Sequence, residues 1–208
     1  MIKQIDKIKD YKEFLTVYEL DQELKKLCSQ EELLEIGESE NGHKIFSAVI
    51  GNGKKAALIF GFPHPNEPVG SLSCLSLIKI IKDDKELFEK FKWYIIPCAD
   101  PDGTRLNEGW FKGKFTIKKY AYNFYRSNPR IQTDWSFPVK YKDYEFNKSP
   151  KNVQSLTKLI DEIKPDLVYP VHNAGFGGAY FFFTKDFGIS FYNELFDLCR
   201  ILKIPLDK

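Results

Sequence analysis

The chain has 208 residues, of which 43% are hydrophobic and 29% charged, and its net charge is +2. These values are typical of one large soluble domain and give no electrostatic argument for binding nucleic acid or an anionic membrane. The sequence has no apolar run of the roughly 18 residues that a membrane span needs, and Met1–Asp6 lacks the apolar core of a signal peptide. Its four cysteines are scattered without a C-x-x-C pair, which favours reduced, buried thiols in a cytoplasmic protein.

A helix and a β-hairpin are predicted first. The elements are a helix from Thr16 to about Gln30 and strands at Leu33–Gly37 and Lys44–Ile50. Thr16 and Glu19 have the spacing of a capping box, and apolar residues follow at helical intervals. Because an Asn-Gly pair separates the two strands, we predict that His43 is a turn residue and not a metal ligand.

Apolar strands then alternate with helices. The predicted elements are the strand Ala56–Phe60, helices from Val69 to about Ile81 and from Asp84 to about Phe91, the strand Trp93–Ile96, a helix opened by Ser149–Pro150 and running to about Ile163, and the strand Asp166–Val171. Continuous apolar strands are typical of parallel strands covered on both faces. The alternation predicts an α/β protein with a three-layer α/β/α sandwich and a mixed sheet, in a single domain over residues 1–208.

The segment Thr104–Asn147 interrupts this alternation and is rich in Tyr, Phe, Trp and Arg. Segments of this length without regular structure are usually either disordered or functional. The aromatic content favours an ordered loop that faces a ligand.

Three side chains from two distant segments suggest a zinc site. His64 and Glu67 are three positions apart where a loop enters a helix, so both can face the same side. His172 follows a different strand, and the carboxyl ends of parallel strands meet at one edge of a sheet. Two histidines and a carboxylate form a catalytic zinc site whose fourth position is open to water or substrate. The alternative is two unrelated loop histidines and a surface glutamate, since H-x-x-E alone is a weak signal.

Four motifs in order resemble those of the zinc carboxypeptidases over roughly residues 10 to 185. They are Ile36-Gly37-Glu38-Ser39-x-x-Gly42, Gly61-x-x-His64-x-x-Glu67, Asp100-Pro101-Asp102-Gly103 and Val171-His172-Asn173. Asp100 stands where that family usually has asparagine. The resemblance implies one zinc ion held by His64, Glu67 and His172.

The resemblance also implies arginines that stabilise an oxyanion and bind the terminal carboxylate of the substrate. Asn123–Arg126 is similar to the segment that carries the family's Asn-Arg pair, so Arg126 is the candidate for carboxylate binding, although Tyr125 replaces the asparagine. Arg105 is the candidate oxyanion donor, and Arg130 is an alternative for either role. A planar guanidinium suits both tasks.

The implied function is a zinc-dependent hydrolase that removes a C-terminal amino acid from a peptide by metal-activated water. A deacylase or amidase of the same fold, acting on an N-acyl amino acid, is an alternative because His64-x-Asn66-Glu67 is closer to the deacylase relatives. A catalytically inactive module that binds zinc or peptide is the third possibility.

The part of the chain after His172 departs from the family, whose general-base glutamate lies on later elements. Glu194 adjoins the apolar stripe of a predicted helix, so we predict it on a solvated face and do not assign it as the base. Phe181–Phe183 is predicted to be a buried strand, and Gly175 and its neighbouring glycines would let the backbone approach the metal. We therefore expect that the chain lacks the last strands of its sheet and the general base, and that it self-associates through the uncovered edge.

Overall fold

The computed structural model describes residues 8–173 and 177–207, so Met1–Asp6 and Gly175 lie outside the described residues. Two compact units meet in sequence between His172 and Asn173. The elements are α1 (Val17–Leu27), β1 (Leu33–Glu38), β2 (Lys44–Ile50), β3 (Lys55–Phe60), α2 (Val69–Asp83), α3 (Lys85–Lys90), β4 (Phe91–Ile96), α4 (Pro101–Arg105), α5 (Ile117–Asn123), β5 (Val139–Tyr141), β6 (Tyr144–Phe146), α6 (Lys151–Ile163), β7 (Leu167–Pro170) and α7 (Ile189–Ile201). No helix in these described ranges is long and apolar enough to cross a lipid bilayer.

The first unit is built on a five-stranded sheet in the order β1-β2-β4-β3-β7. β3 is parallel to both β4 and β7, whereas β2 is antiparallel to β1 and β4. The predicted hairpin is confirmed, and Gly42 in its turn has a φ of 76°, which glycine adopts without strain. The mixed sheet is therefore the predicted one, with its parallel strands at one side.

Helices cover both faces of this sheet. Leu24 of α1 and Ile78 of α2 pack in one core cluster with Ile59. Leu156 of α6 packs in a second cluster with Leu58. Because successive strand residues point to opposite faces, Leu58 and Ile59 place the two clusters on opposite sides of β3. The three-layer α/β/α sandwich is thus confirmed.

The loops after β3, β4 and β7 come close together because these strands are parallel neighbours. The Gly61 amide donates a hydrogen bond to the Ile96 carbonyl at 2.9 Å, and the Val171 amide donates to the Phe60 carbonyl at 2.9 Å. A Cβ atom added at Gly61 would lie 2.6 Å from the Pro97 carbonyl oxygen and 2.8 Å from the Ser71 nitrogen. Glycine is therefore required where the start of α2 crosses the loop after β4.

Two of the sequence motifs meet in a hydrogen-bonded clamp. The Ser39 hydroxyl donates to Asp102 Oδ1 at 2.8 Å, and the Asn41 amide donates to Asp102 Oδ2 at 3.0 Å. His43 lies in the same turn, with Nε2 3.7 Å from Asp102 Oδ1, in agreement with the turn that the sequence predicted. The clamp ties the β1–β2 hairpin to the first turn of α4.

Segment 104–147 is ordered, but it is not the irregular loop that the sequence predicted. It contains α5, the β5–β6 hairpin and short 3₁₀ turns, whose few residues carry no readable periodicity. Buried Asn107 ties Tyr125 to α4: it donates to the Tyr125 carbonyl at 2.9 Å, accepts from the Tyr125 amide at 3.1 Å and donates to the Gly103 carbonyl of α4 at 3.1 Å. Arg126, the next residue, is thereby fixed at one end of the sheet.

The second unit contains α7 and corrects one prediction. Phe181–Phe183 is not a strand, and Phe182 is 91% exposed. The Phe183 ring instead packs against Phe191 and Tyr192 of α7, because residues 177–207 offer this run no neighbouring strand. Glu194 is exposed on α7, as predicted.

All four cysteines are buried and free, as their scattered positions indicated. Cys74 is fully enclosed in α2, and burial raises the pKa of its thiol to about 12. A thiol with so high a pKa carries almost no thiolate at neutral pH, so Cys74 is not suited to act as a nucleophile.

Gly61→Ala is expected to lower the free energy of unfolding of the protein by about 1–3 kcal/mol, since the added methyl group overpacks against two backbone atoms. Urea unfolding measures this change. Ser73→Ala, on the exposed side of α2, is the matched control and is expected to change stability by no more than about 0.5 kcal/mol. Equal stability of both variants would contradict the argument from close packing.

Candidate metal centre

His64 and Glu67 lie in the turn between β3 and α2, and His172 directly follows β7. The Glu67 amide donates to the His64 carbonyl at 3.1 Å, which turns both side chains toward the same side. The three ligands predicted from the sequence therefore come together because the loop before α2 lies beside the end of β7.

Glu67 stands between the two imidazoles. Its Oε1 is 2.8 Å from His64 Nδ1, and its Oε2 is 2.8 Å from His172 Nδ1. Only 7% of the Glu67 side chain is exposed. Each oxygen of one buried carboxylate thus faces a nitrogen of a different histidine.

Asp134 occupies the other side of the same two rings and was missed by the sequence analysis. Its Oδ1 is 3.1 Å from His64 Nε2, and its Oδ2 is 3.4 Å from His172 Nε2. The neighbouring Thr133 accepts a hydrogen bond from Asn152 of α6 at 3.0 Å, which anchors this part of the segment. No spacing relates Asp134 to the histidines, so only the fold reveals it.

The buried cluster contains polar atoms without hydrogen-bond partners. His64 Nε2 and Asp134 Oδ1 are both buried, and their close approach is not aligned as a hydrogen bond. His64, Asp134 and His172 each offer a ligand atom, and these atoms lie within 4.8 Å of one another. Buried polar groups that lack partners indicate room for a bound ion or water.

The donor set fits zinc. Zinc binds imidazole nitrogen at about 2.0–2.1 Å and carboxylate oxygen at about 2.0–2.2 Å, so ligand atoms around one ion lie roughly 3–4 Å apart. The Asp134 oxygens meet this spacing on the Nε2 side, and the Glu67 oxygens, 2.8 Å from the Nδ1 atoms, lie slightly closer than it. When one carboxylate binds the ion, the other is placed to accept the ring N–H on the far side, an arrangement that orients histidine ligands.

The cluster also shifts the pKa values of its members. Burial alone would raise the pKa of Glu67, but the hydrogen bonds from His172 and His64 outweigh it and lower that pKa to about 2. Burial would also raise the pKa of Asp134, but the two imidazoles that face it outweigh this effect and lower that pKa to about 2. Burial disfavours the charged form of His172, yet the two carboxylates raise its pKa to about 9.

Of the three sequence-predicted arginines, Arg126 contacts this cluster. Its Nη1 donates to Glu67 Oε1 at 3.1 Å and lies 3.4 Å from Asn66 Oδ1. Arg105 and Arg130 are exposed, and neither guanidinium is hydrogen-bonded or ion-paired with the described part of the chain. The structure therefore brings together His64, Glu67, His172 and Arg126, and leaves the roles of Arg105 and Arg130 as predictions.

Asp100 replaces the usual asparagine without disturbing its turn. Its Oδ1 caps α4 by accepting from the Gly103 amide at 2.9 Å. Burial, together with the neighbouring charge of Asp102, raises the pKa of Asp100 to about 6. Asn and Asp are comparable at such a cap, which explains why the substitution is tolerated.

Comparison with known proteins places this arrangement in context. The chain matches the family model for zinc carboxypeptidases over residues 17–175. No match is found among curated protein sequences.

Several solved structures share the fold. Bovine thrombin-activatable fibrinolysis inhibitor is 15% identical, with 92% of this chain and 71% of that one covered and a TM-score of 0.60. Carboxypeptidase A from Helicoverpa armigera is 19% identical, with 78% of this chain and 46% of that one covered and a TM-score of 0.58. A murein-tripeptide amidase from Escherichia coli O157 is 14% identical, with 95% of this chain and 79% of that one covered and a TM-score of 0.51. At these identities the likeness shows the fold, and the chain spans less than half the length of the Helicoverpa enzyme.

In the presence of a chelator, the stability contributed by Glu67, Asp134 and His172 is expected to be highest between about pH 4.5 and 6.5. The raised pKa of His172 contributes stability that is complete below its ordinary value of 6.5 and is lost as the pH rises through about 9. The lowered pKa values of Glu67 and Asp134 contribute stability that is lost as the pH falls from their ordinary values of 4.5 and 3.8 toward about 2.

Thermal unfolding across this pH range tests the expectation. His172→Gln is the control, since it removes the group that titrates between pH 6.5 and 9. An unchanged alkaline slope in that variant would show that another group causes it.

Proposed function

This chain belongs to the zinc carboxypeptidase family, and on that basis we propose that it is a zinc-dependent hydrolase that removes the C-terminal amino acid of a peptide. The observation that carries the proposal is the buried Glu67 carboxylate between the Nδ1 atoms of His64 and His172. We assign these three residues as the ligands of one zinc ion.

Asp134 is then the residue that orients both histidines. If Nδ1 of each ring bound the ion, each Nε2 would carry a proton, and the Asp134 oxygens, 3.1 and 3.4 Å away, would be placed to accept hydrogen bonds from these two N–H groups. Such partners fix the ring tautomer and raise the basicity of the ligand nitrogen. A single carboxylate would do this for both rings.

Zinc bound here supplies a Lewis acid that polarises a carbonyl group and lowers the pKa of water. Among the proposed arginines, Arg126 is the one beside the ligands, so it is better placed than Arg105 to meet negative charge that develops at the scissile carbonyl. Its guanidinium is also suited to the terminal carboxylate that the sequence assigned to it. Arg105 and Arg130 remain proposals for the role that Arg126 does not fill.

Proton transfer during hydrolysis needs a general base, and we assign none among the described residues. This leaves a zinc-binding or peptide-binding module without turnover as a second candidate. An amidase or deacylase acting on an N-acyl amino acid is a third. It draws support from Asn66 beside Glu67 and from a fold shared with an amidase.

The protein loaded with zinc is expected to release the last residue from peptides with a free C-terminus and to leave C-terminally amidated peptides intact. Amino-acid release by chromatography measures this, with N-acyl amino acids as a parallel substrate set. Glu67→Gln is expected to lose stoichiometric zinc, whereas Asp134→Asn is expected to keep it with about 10- to 100-fold weaker affinity.

Glu162→Gln, at an exposed position on α6, is the control for both variants and is expected to bind zinc like the parent protein. Turnover of N-acyl amino acids alone would favour the deacylase, and zinc binding without any turnover would favour the inactive module. Retention of zinc by Glu67→Gln but not by Asp134→Asn would reverse the assignment of ligand and orienting residue.

Self-association through the free edge of β7 is also part of the proposal. Leu167, Val168 and Tyr169 are 41%, 43% and 48% exposed on this edge. An apolar cavity of about 470 Å³ lies beside it, between Val171 and Leu72 of α2. Unpaired strand edges with exposed apolar side chains are templates for pairing with another chain.

A dimer or larger species is therefore expected in light scattering across a concentration series. Val168→Lys places a charge on the edge and is expected to shift the protein toward monomer. Tyr18→Lys, at an exposed position on α1, is the control and is expected to leave the assembly unchanged. A monomer at every concentration would rule out this association.

A further inference from the structure

Glu67 Oε1 has two hydrogen-bond partners, and one of them is a permanent cation. His64 Nδ1 lies 2.8 Å away and Arg126 Nη1 lies 3.1 Å away, whereas Oε2 faces His172 alone. The Glu67 side chain is 7% exposed and the Arg126 side chain 36% exposed. The guanidinium therefore reaches a buried carboxylate from the solvent side of the cluster.

A metal ion and this guanidinium would compete for the same oxygen. With a metal–oxygen distance of about 2 Å, an ion on Oε1 would lie no more than about 5 Å from Arg126 Nη1. Two positive groups at this distance in a poorly solvated site repel each other strongly. Metal binding also withdraws charge from the carboxylate and so weakens its attraction for the guanidinium.

Arg126 has an easy alternative position. Its partners within the described ranges are Glu67 Oε1 and, at 3.4 Å, Asn66 Oδ1. No second carboxylate among the described residues holds it, and its partial exposure leaves solvent to hydrate the freed guanidinium. Moving it away from Glu67 thus breaks one ion pair and the 3.4 Å contact with Asn66, and it leaves the contacts of Glu67 with both histidines in place.

We propose that Arg126 neutralises Glu67 in the metal-free protein, releases it when the carboxylate takes up a divalent cation, and then presents its guanidinium to an anionic group of the substrate. This inference rests on the metal site of the proposed function. It adds that metal loading and anion recognition are coupled through one side chain. Since such coupling is reciprocal, occupation of Arg126 by an anion would also favour metal binding.

The test is the zinc dissociation constant of Arg126→Gln, measured by competition with a chromophoric chelator. Removing the competing cation is expected to tighten zinc binding by roughly fivefold or more, the lower end of typical coupling between sites. Arg126→Lys keeps the positive charge, and its zinc dissociation constant is expected to lie between those of Arg126→Gln and the parent protein. Lys114→Gln, which removes an exposed positive charge from the same segment, is the control and is expected to leave the constant unchanged.

Thermal unfolding gives a second readout that needs no turnover. Arg126→Gln is expected to lower the melting temperature in chelator but not with saturating zinc. Zinc binding that is unchanged or weaker in Arg126→Gln would overturn the inference and leave the zinc site standing. A parent protein that binds no zinc would overturn both.

Discussion

The burial of two carboxylates against two imidazoles is the constraint on which the site depends. Unpaired buried charges are costly, and each of these groups is held by the opposite charge of another. Glu67 and Asp134 lie on opposite sides of the His64 and His172 rings, whose centroids are 4.7 Å apart. The two rings favour the ionised form of both carboxylates against burial, because they lower the pKa values of Glu67 and Asp134 to about 2.

The order of the sheet makes this cluster possible. β7 pairs directly with β3, so the loop that carries His64 and Glu67 ends beside the strand that carries His172. The close crossing at Gly61 and the hydrogen bond from Val171 to Phe60 fix the relative height of the two loops. The loop after β3 and the end of β7, which are far apart in sequence, are therefore aligned by backbone contacts alone.

Sequence reasoning was successful where periodicity and strand ends carry the information. The order of the long helices and strands, the hairpin at Gly42 and the convergence of His64, Glu67 and His172 all follow from apolar patterning and from the parallel arrangement. Segment 104–147 could not be predicted in this way, since its elements are only a few residues long. Its contributions depend on tertiary hydrogen bonds, from Asn107 to Tyr125 and from Asn152 to Thr133.

The aromatic run after the site shows where prediction from composition fails. Phe181–Phe183 has the composition of a buried strand, but a strand also requires a partner, which composition does not supply. Asp134 and Arg126 show the same dependence on context. Ordinary polar residues in the sequence acquire their roles only because the fold delivers them to a buried carboxylate and two rings.

The charge of the cluster connects Asp134 and Arg126 with the proposed metal ligands. With His64 neutral, the two carboxylates of the metal-free cluster are balanced by Arg126 and a protonated His172, whose pKa is raised to about 9, so the cluster is close to neutral. The two carboxylates raise the pKa of His64 as well, and its protonated form adds a positive charge to the metal-free cluster. With a divalent cation and neutral imidazoles, the ion and the same residues together carry one net positive charge. A loaded site of this charge would attract a substrate carboxylate at the moment when the group that activates its carbonyl is in place. Arg126 does not alter the size of any change in charge on metal binding, but beside the proposed ligand carboxylate it makes the loaded site positive instead of neutral.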